Sequence, residues 1–485
     1  MKKETLGLLF GLKVRMLRQQ QGLTLQQLVD KSGLALSFLH DIEKGKKRPS
    51  SDKILALANA LDTTYDYLVS VHGSKQLKPI VDLLESDFFK NYPLQVFGLE
   101  PAKLIDLLSA EPEKVNALIG TILKIAQNHH LTKENLYLVA LRSYQDMHDN
   151  YFPDLETAAR EFRNAAHILY GVPVNTEQLE RALLEQFGIR ADRHTMAQDP
   201  ALAGVRSWYA PDKKTLYLNG GLTPAQENFL MGREIGFQYL QIGERPYETI
   251  ILRAESFEKL FQNFRASYFS SALLMDEQAL AEDIQQLANS LYWQPEEWLG
   301  LTRKYQVTDE MLLQRMTNIF PKHFGIKDLF FLRISANENL TKFEMTKELH
   351  LSGQQSPYSR EGGHYCRKWV SIDILRRLRA GGQQQERTIA AQVSHYWLQE
   401  NAYLCISIAK PGRQHVSITI GLLVTDAVRR LFRFLEDPLV IQKTVGVTCE
   451  TCSMPHCEAR AAAPVEIEKE SGFETVERAL RQLSL

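Results

Sequence analysis

The residues of this chain that could do chemistry are concentrated near its C-terminal end, where cysteines stand at Cys449, Cys452 and Cys457. This C-x2-C-x4-C spacing places three potential thiolate ligands within nine residues. Thiolates bind iron–sulfur clusters and zinc, and both kinds of site usually have four ligands. Three ionised thiolates this close together repel one another unless a cation is bound, so the spacing predicts a metal site.

The fourth ligand must come from elsewhere in the chain, and two cysteines remain. Cys366 lies in the polar, glycine-rich segment 362–369, which favours a loop built around a site. Cys405 lies in an alternating apolar stretch, which is typical of an ordinary buried core thiol. Cys366 is therefore the predicted fourth ligand, with His364 or His456 as a substitute. The residues themselves fit either an iron–sulfur cluster or zinc.

A second segment has the outline of a zinc peptidase site without its ligands. Residues 215–240 resemble ImmA/IrrE-type metallopeptidases, whose H-E-x-x-H helix places two zinc-binding histidines one turn apart. Arg233 and Phe237 stand at the histidine positions, and Arg265 stands where the resemblance implies a third ligand. A guanidinium stays protonated and a phenyl ring has no lone pair, so neither binds zinc. Glu234, at the position of the catalytic base, is kept and could pair with either arginine, so we predict a scaffold that is not an enzyme.

The first 70 residues have the pattern of five short helices with apolar residues three and four apart. Thr24 is a suitable N-cap for the second helix, and Gly33 lies in a tight turn where glycine takes positive φ without steric cost. The helices, this turn and the E-x-G-x-x-x-P ending at residues 43–49 resemble a helix-turn-helix of the XRE family. In that motif the helix predicted at 36–44 lies in the major groove of DNA.

The charge of this region agrees with a nucleic-acid partner. Residues 1–53 contain eleven lysines and arginines against five acidic residues, whereas the whole chain has a formal net charge of −1. We therefore predict binding to double-stranded operator DNA through polar groups that reach bases and basic groups that reach phosphates. The predicted contact residues are Gln26, Gln27, Ser37, His40, Lys44, Lys46, Lys47 and Arg48.

The length of 485 residues and the change of pattern along the chain predict a multidomain protein. The predicted regions are an all-α helix-turn-helix domain at 1–72, a helical connector at 73–153, an α+β degenerate zincin-like domain at 154–325 and an α+β C-terminal sensor domain at 326–485. In the connector, Val115, Leu118 and Ile122 lie on one apolar face that fits either a homodimer interface or an internal core. In the last region, alternating stretches indicate an antiparallel sheet.

Composition and motifs exclude several other classes of protein. No apolar run reaches the length that spans a membrane, and no signal peptide opens the chain, so we expect a cytoplasmic protein. Five cysteines without an export signal make disulfides unexpected. The chain has neither a G-x-x-x-x-G-K-[ST] loop nor a G-x-G-x-x-G turn, so no motif identifies the residues of a cofactor or effector pocket.

The order of these regions resembles the short-chain fatty acyl-CoA regulator family along nearly the whole chain. The resemblance implies a transcription factor that controls short-chain acyl or carboxylate metabolism and binds an acyl-CoA or CoA effector. It also implies, as in some members, a [4Fe–4S] iron–sulfur cluster on four cysteines, with zinc as the alternative metal. The positions that match are Cys366, Cys449, Cys452 and Cys457.

Two other functions compete with this interpretation. A DNA-tethered peptidase would need zinc ligands that positions 233, 237 and 265 do not supply. An antitoxin-like protein would instead bind a protein partner through residues 75–330, and tight binding of that partner without any small ligand would identify it.

Overall fold

The computed structural model describes residues 3–70, 94–97, 133–169, 171–247, 256–351, 363–380, 387–410, 415–465 and isolated positions beyond them. The chain divides into two units by its internal contacts. The first unit contains residues 1–144 with 253–257, and the second contains residues 145–252 with 258–485.

The first unit begins with the five predicted helices, which confirms the helix-turn-helix fold. The helices are α1 (Lys3–Gln20), α2 (Leu25–Ser32), α3 (Leu36–Glu43), α4 (Ser51–Ala60) and α5 (Tyr65–Val69). Their apolar faces share one core, which includes Phe10, Leu28, Leu39 and Leu57. Burial of these side chains supplies most of the stability of so short a bundle.

Two polar contacts fix the helices of this bundle to one another. Arg18 on α1 binds the carboxylate of Glu43 on α3 through two hydrogen bonds of 2.6 and 3.0 Å. The buried ammonium of Lys13 donates to the carbonyl oxygens of Tyr67 and Ser70 at the end of α5. A cation at the C-terminal end of a helix also interacts favourably with the helix dipole.

Most of the predicted connector lies outside the described residues, including the face formed by Val115, Leu118 and Ile122. Within it the structure describes a short 3-10 helix at Leu94–Phe97 and helix α6 (Lys133–Met147).

The second unit opens with helices around a small sheet. Its elements are α7 (Pro153–Ala165), α8 (Thr176–Phe187), β1 (Arg190–Asp192), β2 (Ser207–Ala210), β3 (Thr215–Leu218), α9 (Pro224–Tyr239), α10 (Phe257–Leu274), α11 (Glu277–Ala288), α12 (Pro295–Tyr305) and α13 (Asp309–Phe324). The strand order is β1-β3-β2, with β1 parallel and β2 antiparallel to β3. This is the predicted strand, turn and helix of the zincin-like scaffold.

Helices α9 and α10 approach each other closely because α9 carries glycine at the crossing. A Cβ atom on Gly232 would lie 2.6 Å from the hydroxyl of Ser270, and one on Gly236 would lie 3.1 Å from the carbonyl oxygen of Ala266. The Ser270 hydroxyl in turn donates to the carbonyl of Phe229 at 2.8 Å. This contact holds the two helices that carry the zinc-ligand positions of the related peptidases.

The C-terminal part of the second unit is built on a six-stranded sheet. Its elements are β4 (Leu329–Ala336), β5 (Phe343–His350), α14 (Val370–Ala380), β6 (Thr388–Tyr396), β7 (Ala402–Lys410), β8 (His415–Leu423), α15 (Asp426–Leu431) and β9 (Ile441–Val445). The strand order is β5-β4-β8-β7-β6-β9. The α+β prediction is confirmed, but the sheet is mixed, because β9 pairs with β6 in the parallel direction.

Each face of this sheet is covered by a helix. Phe330 and Leu332 on β4 share a core with Trp369 and with Ile372 on α14. Helix α13 packs against β4 and β8. The predicted boundary at residue 325 therefore falls between two elements that pack on each other. Among the described helices, none combines the length and apolar character needed to cross a membrane.

Candidate functional site

The turn between α2 and α3 has the geometry that the sequence predicts. The Thr24 hydroxyl accepts a hydrogen bond from the Gln27 amide, and the Gln27 side chain accepts one from the Thr24 amide, which forms a capping box. Gly33 ends α2 with φ of 68°. Only glycine takes this conformation without strain, so the turn that sets the angle of α3 depends on this residue.

The predicted DNA contacts lie on accessible surface of the helix-turn-helix. Gln26, Ser37 and His40 are exposed, as are Lys46, Lys47 and Arg48, and Lys44 is half-buried. Gln27 is exposed too, although its amide already caps α2. The opposite side of α3 is buried through Leu39 and Ile42. The helix therefore presents its polar residues outward, as docking in a major groove requires.

One of the basic residues already has an acidic partner. Lys47 binds the carboxylate of Asp41 at 2.9 Å, and this hydrogen bond lowers the pKa of Asp41. Lys53 stands 4.2 Å from the centre of the Phe38 ring, in cation–π geometry. A DNA phosphate that approaches Lys47 must compete with the carboxylate of Asp41. We therefore expect Lys47 to contribute less to DNA binding than Lys46.

In the zincin-like region, the charge of Glu234 is compensated by an arginine that the sequence did not single out, Arg245. Glu234 is buried on α9 and accepts hydrogen bonds from both terminal nitrogens of Arg245, one of them at 2.8 Å. Gln238 donates to the same carboxylate at 2.8 Å. The guanidinium carbon of Arg245 also lies 3.9 Å from the centre of the Phe237 ring. The sequence predicted Arg233 or Arg265 as the partner of Glu234, whereas the arginine hydrogen-bonded to it is Arg245.

The three former ligand positions carry out packing and hydrogen bonding in this chain. Arg233 is buried and donates to Ser207 at 3.1 Å, and burial lowers its pKa to about 10. Phe237 is buried against the two guanidinium groups. Arg265 donates to Gln262 at 3.2 Å. These side chains supply two cations and an aromatic ring at the positions that the resemblance assigns to metal ligands.

The four predicted cysteine ligands line a single pocket. Cys366, Cys449, Cys452 and Cys457 all contribute to its wall, and neither His364 nor His456 does. Cysteines that are up to 91 residues apart in the sequence therefore meet at one place, because the segment after β9 pairs with the segment before α14 through a bridge between residues 365 and 448.

Backbone amides already donate to two of these sulfurs. The amide of Gly446 lies 3.3 Å from Sγ of Cys366, and the amide of Ala461 lies 3.3 Å from Sγ of Cys449. Such hydrogen bonds stabilise a thiolate and tune the potential of a bound cluster. Burial nevertheless raises the pKa of the Cys366 thiol.

The remaining contacts fix the loop around the pocket. The indole of Trp369 donates to the carbonyl of Gly446 at 2.8 Å. His364 binds Glu450 through its ring at 2.7 Å and through its backbone amide at 3.1 Å. The His364 ring is therefore engaged with a carboxylate beside the pocket.

The thiols share the pocket without forming a ready site for a single ion. Within the described ranges, no group of three or more His, Cys, Asp and Glu side chains is arranged to hold one metal ion. All five cysteines are free thiols.

Cys405 lies apart from this pocket, as the sequence predicts for a core thiol. It is buried on β7, and burial raises its pKa to about 12. Its neighbours include the hydroxyl of Ser394 at 3.7 Å. The two line a small interior cavity with Trp369, Val370 and the apolar side chains of β4.

Comparison with known proteins agrees with two of these regions. Residues 14–68 match the helix-turn-helix family model, and residues 184–317 match the model of the IrrE N-terminal-like domain. The chain is 22% identical over 484 residues to the HTH-type transcriptional regulator PrpR of Mycobacterium tuberculosis (strain ATCC 25618 / H37Rv). That similarity covers 93% of this chain and 91% of PrpR. The chain is thus similar to a transcriptional regulator along nearly its whole length.

Two further matches are more limited. The uncharacterized HTH-type transcriptional regulator YobD of Bacillus subtilis (strain 168) is 36% identical over 59 residues, which are 12% of this chain and 53% of YobD. A solved structure of a Mycobacterium tuberculosis transcriptional regulator has a TM-score of 0.48 at 18% identity, covering 66% of this chain and 92% of that chain. The curated relatives are named as regulators, which supports a DNA-binding transcriptional regulator over an enzyme.

Proposed function

We propose that this chain is a cytosolic transcriptional regulator that binds operator DNA through α3 and senses metabolic and redox state through its C-terminal region. In this proposal a [4Fe–4S] cluster is held by Cys366, Cys449, Cys452 and Cys457, and an acyl-CoA is the effector. The observation that carries the metal part is that these four thiols line one pocket while Cys405 lies elsewhere.

We propose a cluster rather than zinc because these four cysteines match the cluster ligands of the short-chain fatty acyl-CoA regulators that the sequence resembles. Four thiolates bound to one zinc ion at about 2.3 Å converge on a point, which places the sulfurs roughly 3.8 Å apart. In this chain no such ion-sized group exists among the described residues. A four-iron cluster separates its cysteines more widely, since each thiolate binds a different iron.

A bound cluster would supply a redox-sensitive group. Its binding would act on the rest of the chain through the residues that line the pocket. Cys366 is followed by Arg367, Lys368 and Trp369, and α14 begins at Val370. The helix packs on β6, β7 and β8 of the large sheet. A change in how the cysteine loop is held therefore acts on α14, and a population shift between two arrangements is the simplest consequence.

The interior cavity beneath α14 is the place we propose for the acyl part of the effector. Its walls are apolar through Phe330, Leu332 and Trp369, with the hydroxyls of Ser394 and Thr419 as polar groups. Trp369 borders this cavity and also binds Gly446 at the cysteine pocket, so the two sites share one side chain.

We further propose that the chain acts as a homodimer. Helix-turn-helix regulators bind two half-sites about one helical turn apart, which requires two copies of the domain. In α6, Leu138 and Val139 are adjacent aliphatic residues that are exposed, and they supply apolar surface in the proposed connector region.

One set of measurements on the full chain tests this function. Protein purified without oxygen is analysed for iron, sulfide and zinc, and DNA binding is measured by selection from random duplexes. The selected duplex is then titrated with and without a short-chain acyl-CoA, with free CoA as control. We expect about four irons per chain and an affinity for the duplex that the acyl-CoA changes. A colourless protein that holds one zinc, or a DNA affinity that no CoA compound changes, contradicts the corresponding part of the proposal.

A further inference from the structure

Arg460 makes an unusual number of contacts to the loop that carries the cysteines. One terminal nitrogen of its guanidinium donates to the carbonyl of Cys449 at 3.1 Å. The other donates to the carbonyls of Cys452 and Met454 at 3.2 and 2.7 Å. A single side chain therefore binds three carbonyls of one irregular segment, two of them belonging to proposed ligands.

The backbone next to Arg460 is tied to the same cysteines. Its own amide donates to the carbonyl of Cys457 at 3.1 Å, and the following amide of Ala461 donates to Sγ of Cys449. Residues 449–461 belong to no strand and to no helix. Their carbonyls have no ladder to satisfy them, so the planar guanidinium with its five donors takes that role.

We propose that Arg460 is the positioning residue of the cysteine pocket, which holds the 449–454 segment in the arrangement that binds the cluster. This inference rests on the proposed metal site but adds a residue outside the C-x2-C-x4-C motif. Residues that orient metal ligands typically change metal affinity by about 10- to 100-fold when they are replaced. Arg460 acts before any metal binds, because its contacts are made to backbone oxygens and not to sulfur.

Lys368 provides a matched control for charge. Its ammonium also lies at the pocket, where its contact is Sδ of Met454 at 3.4 Å. Lys368→Gln and Arg460→Gln each remove one positive charge from the pocket wall. Only Arg460→Gln removes hydrogen bonds to the carbonyls of the cysteine segment.

The first measurement uses the full chain without metal. Hydrogen exchange is followed by mass spectrometry in peptides that cover residues 446–461, with a β7 peptide as a reference for the global fold. Losing even one net hydrogen bond of about 1.4 kcal/mol corresponds to about tenfold faster exchange. We expect at least that change in Arg460→Gln, a smaller one in Arg460→Lys, and wild-type exchange in Lys368→Gln.

The second measurement uses protein loaded with iron and sulfide, and follows the loss of iron to a chelator. We expect about tenfold or faster loss from Arg460→Gln and near wild-type loss from Lys368→Gln. Equal effects of the two substitutions would mean that charge matters and positioning does not. Wild-type exchange at 446–461 in Arg460→Gln would overturn the inference. If the wild-type chain binds no iron, the metal proposal fails, while the exchange measurement still decides the role of Arg460.

Discussion

Both terminal nitrogens of Arg245 donate hydrogen bonds to the carboxylate of Glu234. Glu234 lies in the helix that corresponds to the zinc-binding helix of the peptidases that this region resembles. Both side chains are buried, with exposed fractions of 5% and 3%. The carboxylate that would act as a base is therefore neutralised by a cation that belongs to the chain. The guanidinium of Arg245 thus compensates the charge of the buried Glu234 on α9.

Removing this cation should destabilise the second unit. Arg245→Ala leaves Glu234 as a buried charge without its partner, which typically costs about 3–5 kcal/mol. The measurement is urea unfolding followed by tryptophan fluorescence, since all five tryptophans lie in the second unit. Lys327→Ala is the control, because its ion pair with Asp149 is exposed and should change the unfolding midpoint little.

The double substitution separates the pair from its surroundings. In Arg245→Met with Glu234→Leu, both members of the ion pair are removed together, so we expect part of the lost stability to return, although Arg233 loses its neighbouring carboxylate. Equal destabilisation in the single and the double variants would show that packing, and not charge compensation, determines the effect.

Proteolysis offers a second test of the same site. We expect no zinc-dependent cleavage of casein or of a peptide library, because positions 233, 237 and 265 carry no metal-binding group. Cleavage that is lost both in Glu234→Gln and on addition of a chelator would contradict this. The control for specificity is purified wild-type protein with zinc added in excess.

The sequence predicted elements well where local signals determine them. The capping box at Thr24 and the glycine at 33 define the helix-turn-helix within a few residues. Helix α7 ends at Ala165, and His167 takes a positive φ of 55° just beyond this end. That ending depends on Arg163, whose guanidinium binds the carbonyls of Leu169 and Val172, a tertiary contact that no local pattern reveals.

The candidate sites show the same limit. The cysteine spacing led to three thiols of the pocket, and the polar, glycine-rich surroundings of Cys366 led to the fourth. Arg245 and Arg460 were missed, since arginine in a loop has no spacing rule and its partners are known only once the chain has folded. The parallel pairing of β9 with β6 was also missed, because the partner of a strand is known only once the chain has folded.

DNA binding should depend on the basic run beyond α3. Lys46→Ala should lower the affinity for every duplex and reduce the slope of log K against log salt by about 1, as expected for one lost phosphate contact. Lys47→Ala should have a smaller effect, because Lys47 is already paired with Asp41. Fluorescence anisotropy at several salt concentrations measures both slopes.

Base recognition should be separable from this effect. Ser37→Ala with His40→Ala should weaken binding to the selected duplex more than binding to a scrambled one, and should leave the salt slope unchanged. Equal weakening on both duplexes would show that these residues contact phosphates. Lys327→Ala again serves as the control outside the helix-turn-helix.

Acid should destabilise the second unit through Glu277. A hydrogen bond with His323, supported by one from Tyr151, lowers the pKa of Glu277 to about 2. The folded pKa lies below the unfolded one, so the stabilisation is present above about pH 4.5 and is lost as the pH falls towards 2. Glu277→Gln should be less stable than wild type at pH 6 by about 2 kcal/mol. The urea midpoints should draw together as the pH falls towards 2, and a difference that stays constant with pH would refute this assignment.

The cysteines should divide into two classes when each is replaced by serine. Cys366, Cys449, Cys452 and Cys457 line the pocket, so each substitution should remove most of the iron. Cys405→Ser should retain it, because that thiol lies on β7 in the separate interior cavity. The measurement is iron and sulfide content after anaerobic reconstitution, together with the visible absorption spectrum.

The DNA-binding domain provides the internal control for these variants. Its core and its proposed contacts belong to the first unit, whereas all five cysteines belong to the second. The isolated helix-turn-helix domain should therefore bind the selected duplex with unchanged affinity when the full-length cysteine variants no longer respond to effector. Full iron content in Cys366→Ser would refute the four-cysteine site. His364 would then be the candidate fourth ligand, and its ring would have to give up its 2.7 Å contact with Glu450 to bind the metal.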